Sequence, residues 1–263
     1  MKFEVDDIIT TDGYLDLCQN ISLNLCHVKP DYFLRGHFIW RGKNHPEELK
    51  KNAIISHSDL DVNESISKLF DLVFCINNNS DNDNTISIPL GIPNFCDDLP
   101  ILKIIGDKES FLKIANADFE KKHLLYSNFS INTNTTIRKR IYDLFSNQEW
   151  VLKEKTIQTY DGRLNYLLSI KQSKFVLCPQ GNGLDTHRLW ESLYMGSIPI
   201  VIRHRTYDTC RDLPVLVIEN WDEINESFLD EQYKVFQSKQ FNLEKLKLSF
   251  WKKFIEKKII SNV

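Results

Sequence analysis

From about residue 120 onward, short apolar runs alternate with helical patterns, and this rhythm constrains the fold more than any other feature of the 263 residues. "KHLLYSNF", "EWVLKE", "FVLCP", "SIPIV" and "PVLVIEN" read as buried strands. Between them, "NTTIRKRIYDLF", "DGRLNYLLSIKQS" and the stretch around "THRLWESLY" read as helices. Strand and helix in alternation is the pattern of an α/β architecture with a mainly parallel sheet.

The first half repeats the theme less cleanly. "AIISHSD" (53–59) reads as a strand ending in polar residues, followed by a helix near 63–71 and a second strand, "LVFCIN" (72–77). The glycine-free "NNNSDNDN" (77–84) is expected to be a solvated loop tip, and "TISIPLGIPN" a strand broken by Pro89 and Gly91. In the tail, Leu243, Leu246, Phe250 and Phe254 recur at helical spacing and predict an amphipathic packing helix. These divisions suggest units at 1–119 and 120–235, each Rossmann-like, and a final helical segment at 236–263.

Composition narrows the function classes. At 42% hydrophobic residues the chain can bury a proper core, and a net charge of −3 offers no electrostatic footprint for duplex nucleic acid. Any anionic ligand must therefore be held by a local basic site. The start, "MKFEVDDIITTDGYLDL", carries acids where a signal peptide needs a basic region, and no segment reaches membrane-spanning length. A cytoplasmic protein is the expectation. The six cysteines have neither Cys-x-x-Cys pairing nor zinc-like spacing, so reduced and mostly buried thiols are expected.

The chemistry concentrates in "PQGNGLDTHRLWE". In an open parallel sheet, ligands lie beyond the carboxyl ends of the strands, where a turn feeds the next helix. Gly181 and Gly183, flanking Asn182, allow close backbone approach, and Asp185 or Thr186 can cap a helix whose free N–H groups favour a phosphate. Arg188 offers a planar fork of donors to a diphosphate, His187 can add another, and Glu191 suits the two hydroxyls of a ribose. All three share a helix face, with Leu189, Trp190 and Leu193 left for packing and Gly196 to end the helix. The plainer alternative is a surface Arg188–Glu191 ion pair behind a simple glycine turn. No Gly-Lys-Ser/Thr follows, so this is not a Walker loop.

The run from Lys174 to Val201 resembles the exostosin-like glycosyltransferases, and in the first half "IISHSD" and "IPLGIPN" look like the acceptor-side strands of their smaller, membrane-anchor-free members found in viruses and microbes. The run carries Cys178-Pro179-Gln180-Gly181, then Arg188 to Glu191, then Gly196-Ser-Ile-Pro199-Ile-Val201 at consistent spacing. The likeness is dense over residues 120–203 and thin before them. It implies a GT-B fold of two Rossmann-like domains facing across a cleft, with the acceptor on the 1–119 side and the nucleotide sugar on the 120–235 side. The last helix would pack back on the first domain. It further implies inverting transfer to a glycan hydroxyl with no essential metal or cofactor beyond the donor, a UDP-sugar such as UDP-xylose, a UDP-hexose or a UDP-uronate, with a GDP-sugar as the alternative. For a viral member the site of action would be the host cytoplasm. Many members carry Arg where this chain has Gln180, and Arg138, with Arg140 as second choice, can supply the charge; both are otherwise solvated helix arginines.

An inverting transfer needs a general base from across the cleft. Asp59 is the first candidate, His57 the second and Asp61 the third, although Asp59 also suits a helix cap before "LDVNESISKLF". His37 and Arg41, beside Phe38 and Trp40, are candidates for lining the acceptor side. Two rival readings stay open: a metal-dependent GT-A enzyme using Asp59 and Asp61, and a non-catalytic nucleotide-sugar-binding module. A methyltransferase is disfavoured because its glycine turn would lie near the start of the domain.

Overall fold

The computed structural model describes residues 2–14, 52–56, 59–68 and 70–261. His37, Arg41 and His57 lie outside the described residues.

In the first half, β1 (Asn52–Ile55), β2 (Asp61–Val62), α1 (Glu64–Ser67), β3 (Leu72–Cys75), β4 (Asn77–Asn78) and β5 (Thr85–Ser87) follow one another. β1, β3 and β5 form a three-stranded parallel sheet in that order, and β2 pairs with β4, also in parallel. The helix is shorter than its expected 63–71 span. Asn63 starts it by accepting from the backbone N–H groups of Ser65 and Ile66.

The polar run 77–84 is not a solvated tip: Asn77, Asn78 and Ser80 are buried. Their burial is tolerated because each finds partners. Asn78 exchanges two bonds with the Thr206 hydroxyl, at 2.9 and 3.1 Å, Ser80 bonds Ser67 at 3.0 Å, and Asn77 accepts from the backbone of Asp185 at 2.9 Å.

Two helices, α2 (Pro100–Ile105) and α3 (Lys108–Ala115), lead into the second half. There β6 (His123–Ser127), α4 (Thr135–Phe145), β7 (Val151–Lys153), α5 (Tyr160–Lys171), β8 (Ser173–Leu177), α6 (His187–Tyr194), β9 (Ile198–Ile202) and β10 (Leu216–Ile218) alternate as the apolar rhythm predicts. The five strands form an all-parallel sheet in the order β10-β9-β8-β6-β7. Both faces are covered, which is why these strands read as continuous apolar runs. Leu125, Phe175, Leu177 and Ile200 join one cluster with Ile141 and Phe145 of α4. Tyr126, Val176 and Val201 join the other, with Leu167, Leu189, Trp190 and Leu193. That second cluster continues through Ile54, Phe74 and Ile88 of the first half, so a single apolar body underlies both sheets.

After α7 (Glu226–Ser238), the tail breaks where one continuous helix was expected. A 3-10 turn at Leu243–Leu246 gives way to α8 (Leu248–Ser261). The break rotates the buried face, which is made by Leu248, Trp251, Ile255 and Ile259, while Phe250 and Phe254 are only half-buried. The Asp7 carboxylate accepts from the Ser249 backbone at 2.7 Å and so satisfies an open N–H at the start of α8. Tyr194 gathers the same region: its hydroxyl accepts from Ile9 N at 2.9 Å and donates to the Leu246 carbonyl at 2.6 Å. Among the described cysteines, Cys75, Cys178 and Cys210 are buried and Cys96 half-buried, all as free thiols.

Candidate active site

The order β10-β9-β8-β6-β7 places a switch point between β6 and β8: the chain leaves β6 toward β7 on one side and β8 toward β9 on the other. Ligand crevices form outside the carboxyl ends of strands at such points. A cavity of about 380 Å³ opens there, lined by Asn128 and Thr133 after β6 and by Gly181 to Gly183 and Arg188 after β8. From the first half it is lined by Asp59, Leu90 and Pro93.

The helix cap differs from expectation. Thr186 occupies the capping position of α6 without a side-chain bond. Asp185 turns to the first half instead: one carboxylate oxygen accepts from Leu90 N at 3.0 Å and Trp190 Nε1 at 2.7 Å, and the other from Thr186 N at 2.8 Å. Burial pushes the Asp185 carboxyl up to about 7, against the pull of those three donors. His187 makes the second tie, through Nδ1 to the Gly91 carbonyl at 2.8 Å. That bond requires the proton on Nδ1, and burial holds the imidazole below its ordinary pKa despite the carbonyl and the nearby Glu191. The helix still ends as expected, at Gly196 with φ 67°.

Arg138 is buried and its donors are spent on the turn. It bonds the Gln180 carbonyl at 2.9 Å, the Pro179 carbonyl at 3.2 Å, the Ser130 carbonyl at 2.8 Å, and the Thr133 hydroxyl. A Cβ at position 181 would stand 2.9 Å from Nη2 of Arg138, so Gly181 is what lets this guanidinium underpin the turn. Burial, and Arg188 close by, lower its pKa to about 10. Arg140 lies elsewhere, exposed and paired with Asp222 at 2.5 Å.

Arg188 is the contrasting case. Its guanidinium sits 6.0 Å from the centroid of the Phe129 ring, which Arg138 also approaches at 5.8 Å. Nε of Arg188 is shut from solvent and has no hydrogen-bond partner among the described residues. Two cations thus converge on one aromatic ring at the cavity wall, an arrangement that favours an anion.

The surface Arg188–Glu191 pair does not form. Glu191 is buried, and its cation is Arg163, 2.7 Å away and buried with it. The Tyr166 hydroxyl donates to the other carboxylate oxygen at 2.7 Å. Burial alone would raise the Glu191 carboxyl, but Arg163 and Tyr166 more than offset it and hold it below the usual range. Neither Arg163 nor Tyr166 stands out in the sequence. The available signal was Arg163 falling on the same stripe of α5 as Leu167 and Ile170, a charge inside an apolar face.

Asp59 is exposed and lines the same cavity as Arg188 of α6. It does not cap α1, since Asn63 does. Asp61 lies on β2, outside the cavity lining, where burial raises its carboxyl against the opposing effect of His204.

Fold and site together define a mixed α/β protein of parallel sheets with a cleft at the switch point where Arg138 and Arg188 meet. The exostosin GT47 domain model matches residues 36–244, and the chain belongs to that glycosyltransferase family. A probable glycosyltransferase of Arabidopsis thaliana is 28% identical over 81 residues, covering 30% of this chain and 16% of the relative's length. Among the described residues, no helix is long and apolar enough to cross a membrane.

Proposed function

We propose that the chain is an inverting, metal-independent glycosyltransferase of GT-B architecture that moves a sugar from a UDP-sugar to a glycan hydroxyl. The observation that carries this reading is Arg188: a cation at the wall of a switch-point cavity whose shielded Nε has no partner among the described residues calls for an anionic ligand. A diphosphate seated there would meet Arg188, the Gly181 to Gly183 backbone and the first turn of α6. Arg138 would act by holding the turn. Glu191, oriented by Arg163 and Tyr166, keeps lone pairs for ribose hydroxyls.

Asp59 would take the proton of the acceptor hydroxyl. The hydroxyl oxygen would then bond to the anomeric carbon from the face opposite the diphosphate, and the bond to the diphosphate would break with its electron pair on the leaving oxygen. Arg188 would stabilise that developing charge. The test is a screen of UDP- and GDP-sugars for slow hydrolysis by the purified protein. Release of UDP from at least one donor is expected, and release from none would contradict the reading.

A further inference from the structure

His187 lines the cavity beside Arg188 and is half-buried. One of its two ring nitrogens is committed. The partner of Nδ1, at 2.8 Å, is the Gly91 carbonyl, which can only accept, so the ring proton sits on Nδ1. A neutral imidazole in that tautomer carries a lone pair and no hydrogen at Nε2, and Nε2 has no hydrogen-bond partner among the described residues.

The carbonyl that orients the ring is itself held in place. Gly91 adopts φ 73°, a left-handed conformation, and a Cβ there would collide with the Ile9 carbonyl. Its neighbours are tied on both sides: Leu90 N donates to Asp185 at 3.0 Å, and Ile92 N donates to the Ile9 carbonyl at 2.9 Å. The bond that one ring nitrogen makes decides the character of the other, so this anchored backbone makes Nε2 an acceptor. Burial, the largest influence on the ring, favours the same neutral form with the help of Arg163, against the Gly91 carbonyl, Glu191 and Asp59.

We infer that His187 reads the transferred sugar: Nε2 accepts a hydrogen bond from one of that sugar's hydroxyls and so helps to set which nucleotide sugar is used. This rests on the glycosyltransferase reading of the same cavity. A lone pair repels the diphosphate, whose oxygens also accept, so a neutral His187 is no further donor to it. The diphosphate falls to Arg188, one residue along, and the ribose to Glu191, one helical turn beyond His187. The group left on the other side of the diphosphate is the sugar it carries, and His187 stands at the start of α6 where that helix is tied to the first half. An imidazole of lowered basicity is a poor proton sink, which leaves the proton of the acceptor hydroxyl to Asp59.

The test separates the two nitrogens. His187→Asn keeps an amide donor near the place of Nδ1 and removes Nε2, whereas His187→Gln keeps an amide oxygen near the place of Nε2 and gives up the bond to Gly91. Calorimetry measures the binding of UDP, UDP-glucose, UDP-galactose, UDP-xylose and UDP-glucuronate to the wild type and to both variants. For at least one of these sugars, the ratio of the UDP-sugar Kd to the UDP Kd should rise about three- to tenfold in His187→Asn, the loss of one hydrogen bond. That ratio should stay nearer the wild-type value in His187→Gln, and UDP itself should bind His187→Asn as it binds the wild type. Thermal midpoints should rank the other way, with His187→Gln the lower, because it alone loses the tie to Gly91. A ratio unchanged in His187→Asn for every sugar, including the case in which UDP weakens by the same factor, would overturn the inference and leave the donor-site reading standing. Failure of the wild type to bind UDP would overturn the donor-site reading, and the inference with it.

Discussion

Arg163 and Glu191 form a buried ion pair at 2.7 Å, joining α5 to α6 beneath the cavity, 28 positions apart in a chain where each looks like a surface charge. Removing one member of such a pair strands the other charge in a dry site. Arg163→Met should lower the unfolding free energy by about 3–5 kcal/mol in denaturant titrations, whereas Arg163→Met with Glu191→Met should recover much of that loss.

In the proposed mechanism Asp59 acts on the acceptor alone. Asp59→Asn should cut kcat by about 10²–10⁴-fold while leaving donor KM close to wild type, as steady-state kinetics would show. Full activity in the variant would remove Asp59 from the mechanism.

Asp185 gives a pH signature. Its folded pKa, about 7, lies above the unfolded carboxylate value, so the folded state holds its proton more tightly. The stability this contributes is fully present below about pH 4 and is lost as pH rises through about 7. Unfolding free energies from denaturant titrations should therefore fall between pH 5 and pH 8 more steeply in the wild type than in Asp185→Asn, by on the order of 2–4 kcal/mol. Parallel pH profiles would show that Asp185 does not titrate there.

Metal independence has a direct check. Transfer should survive EDTA, and a complete loss restored by Mn²⁺ would favour the alternative in which Asp59 and Asp61 hold a metal.

Legibility in the sequence followed the physics of each element. The strands of the second sheet are buried on both faces, so unbroken runs such as Phe175 to Leu177 and Ile198 to Val201 announce them. A glycine turn before a charged helix singles out Gly181, Arg188 and Glu191 in the sequence, and all three line the cavity. Long-range polar bonding was not legible: Asn77, Asn78 and Ser80 look like a loop tip until Thr206, Asp185 and Ser67 supply their partners. Arg163 escaped for the same reason, since nothing local pairs it with Glu191. In the tail, helical spacing was present but the turn at Leu243–Leu246 shifted its phase, moving burial from Phe250 and Phe254 to Trp251 and Ile255. The cavity also brings Ile101, Ile104 and Ile105 beside Ile157, more than fifty positions away, and only the fold puts them together.

The central claim, that Arg188 awaits the diphosphate of a nucleotide, is tested most directly by titrating UDP into the wild type and Arg188→Ala by calorimetry. Arg188→Ala deletes a cation whose Nε has no hydrogen-bond partner among the described residues, so the variant should remain folded with a thermal midpoint within a few degrees of wild type. The account predicts UDP binding to the wild type and at least about tenfold weaker binding to the variant, the loss of a charge-assisted bond. Equal affinity in the two proteins would contradict it.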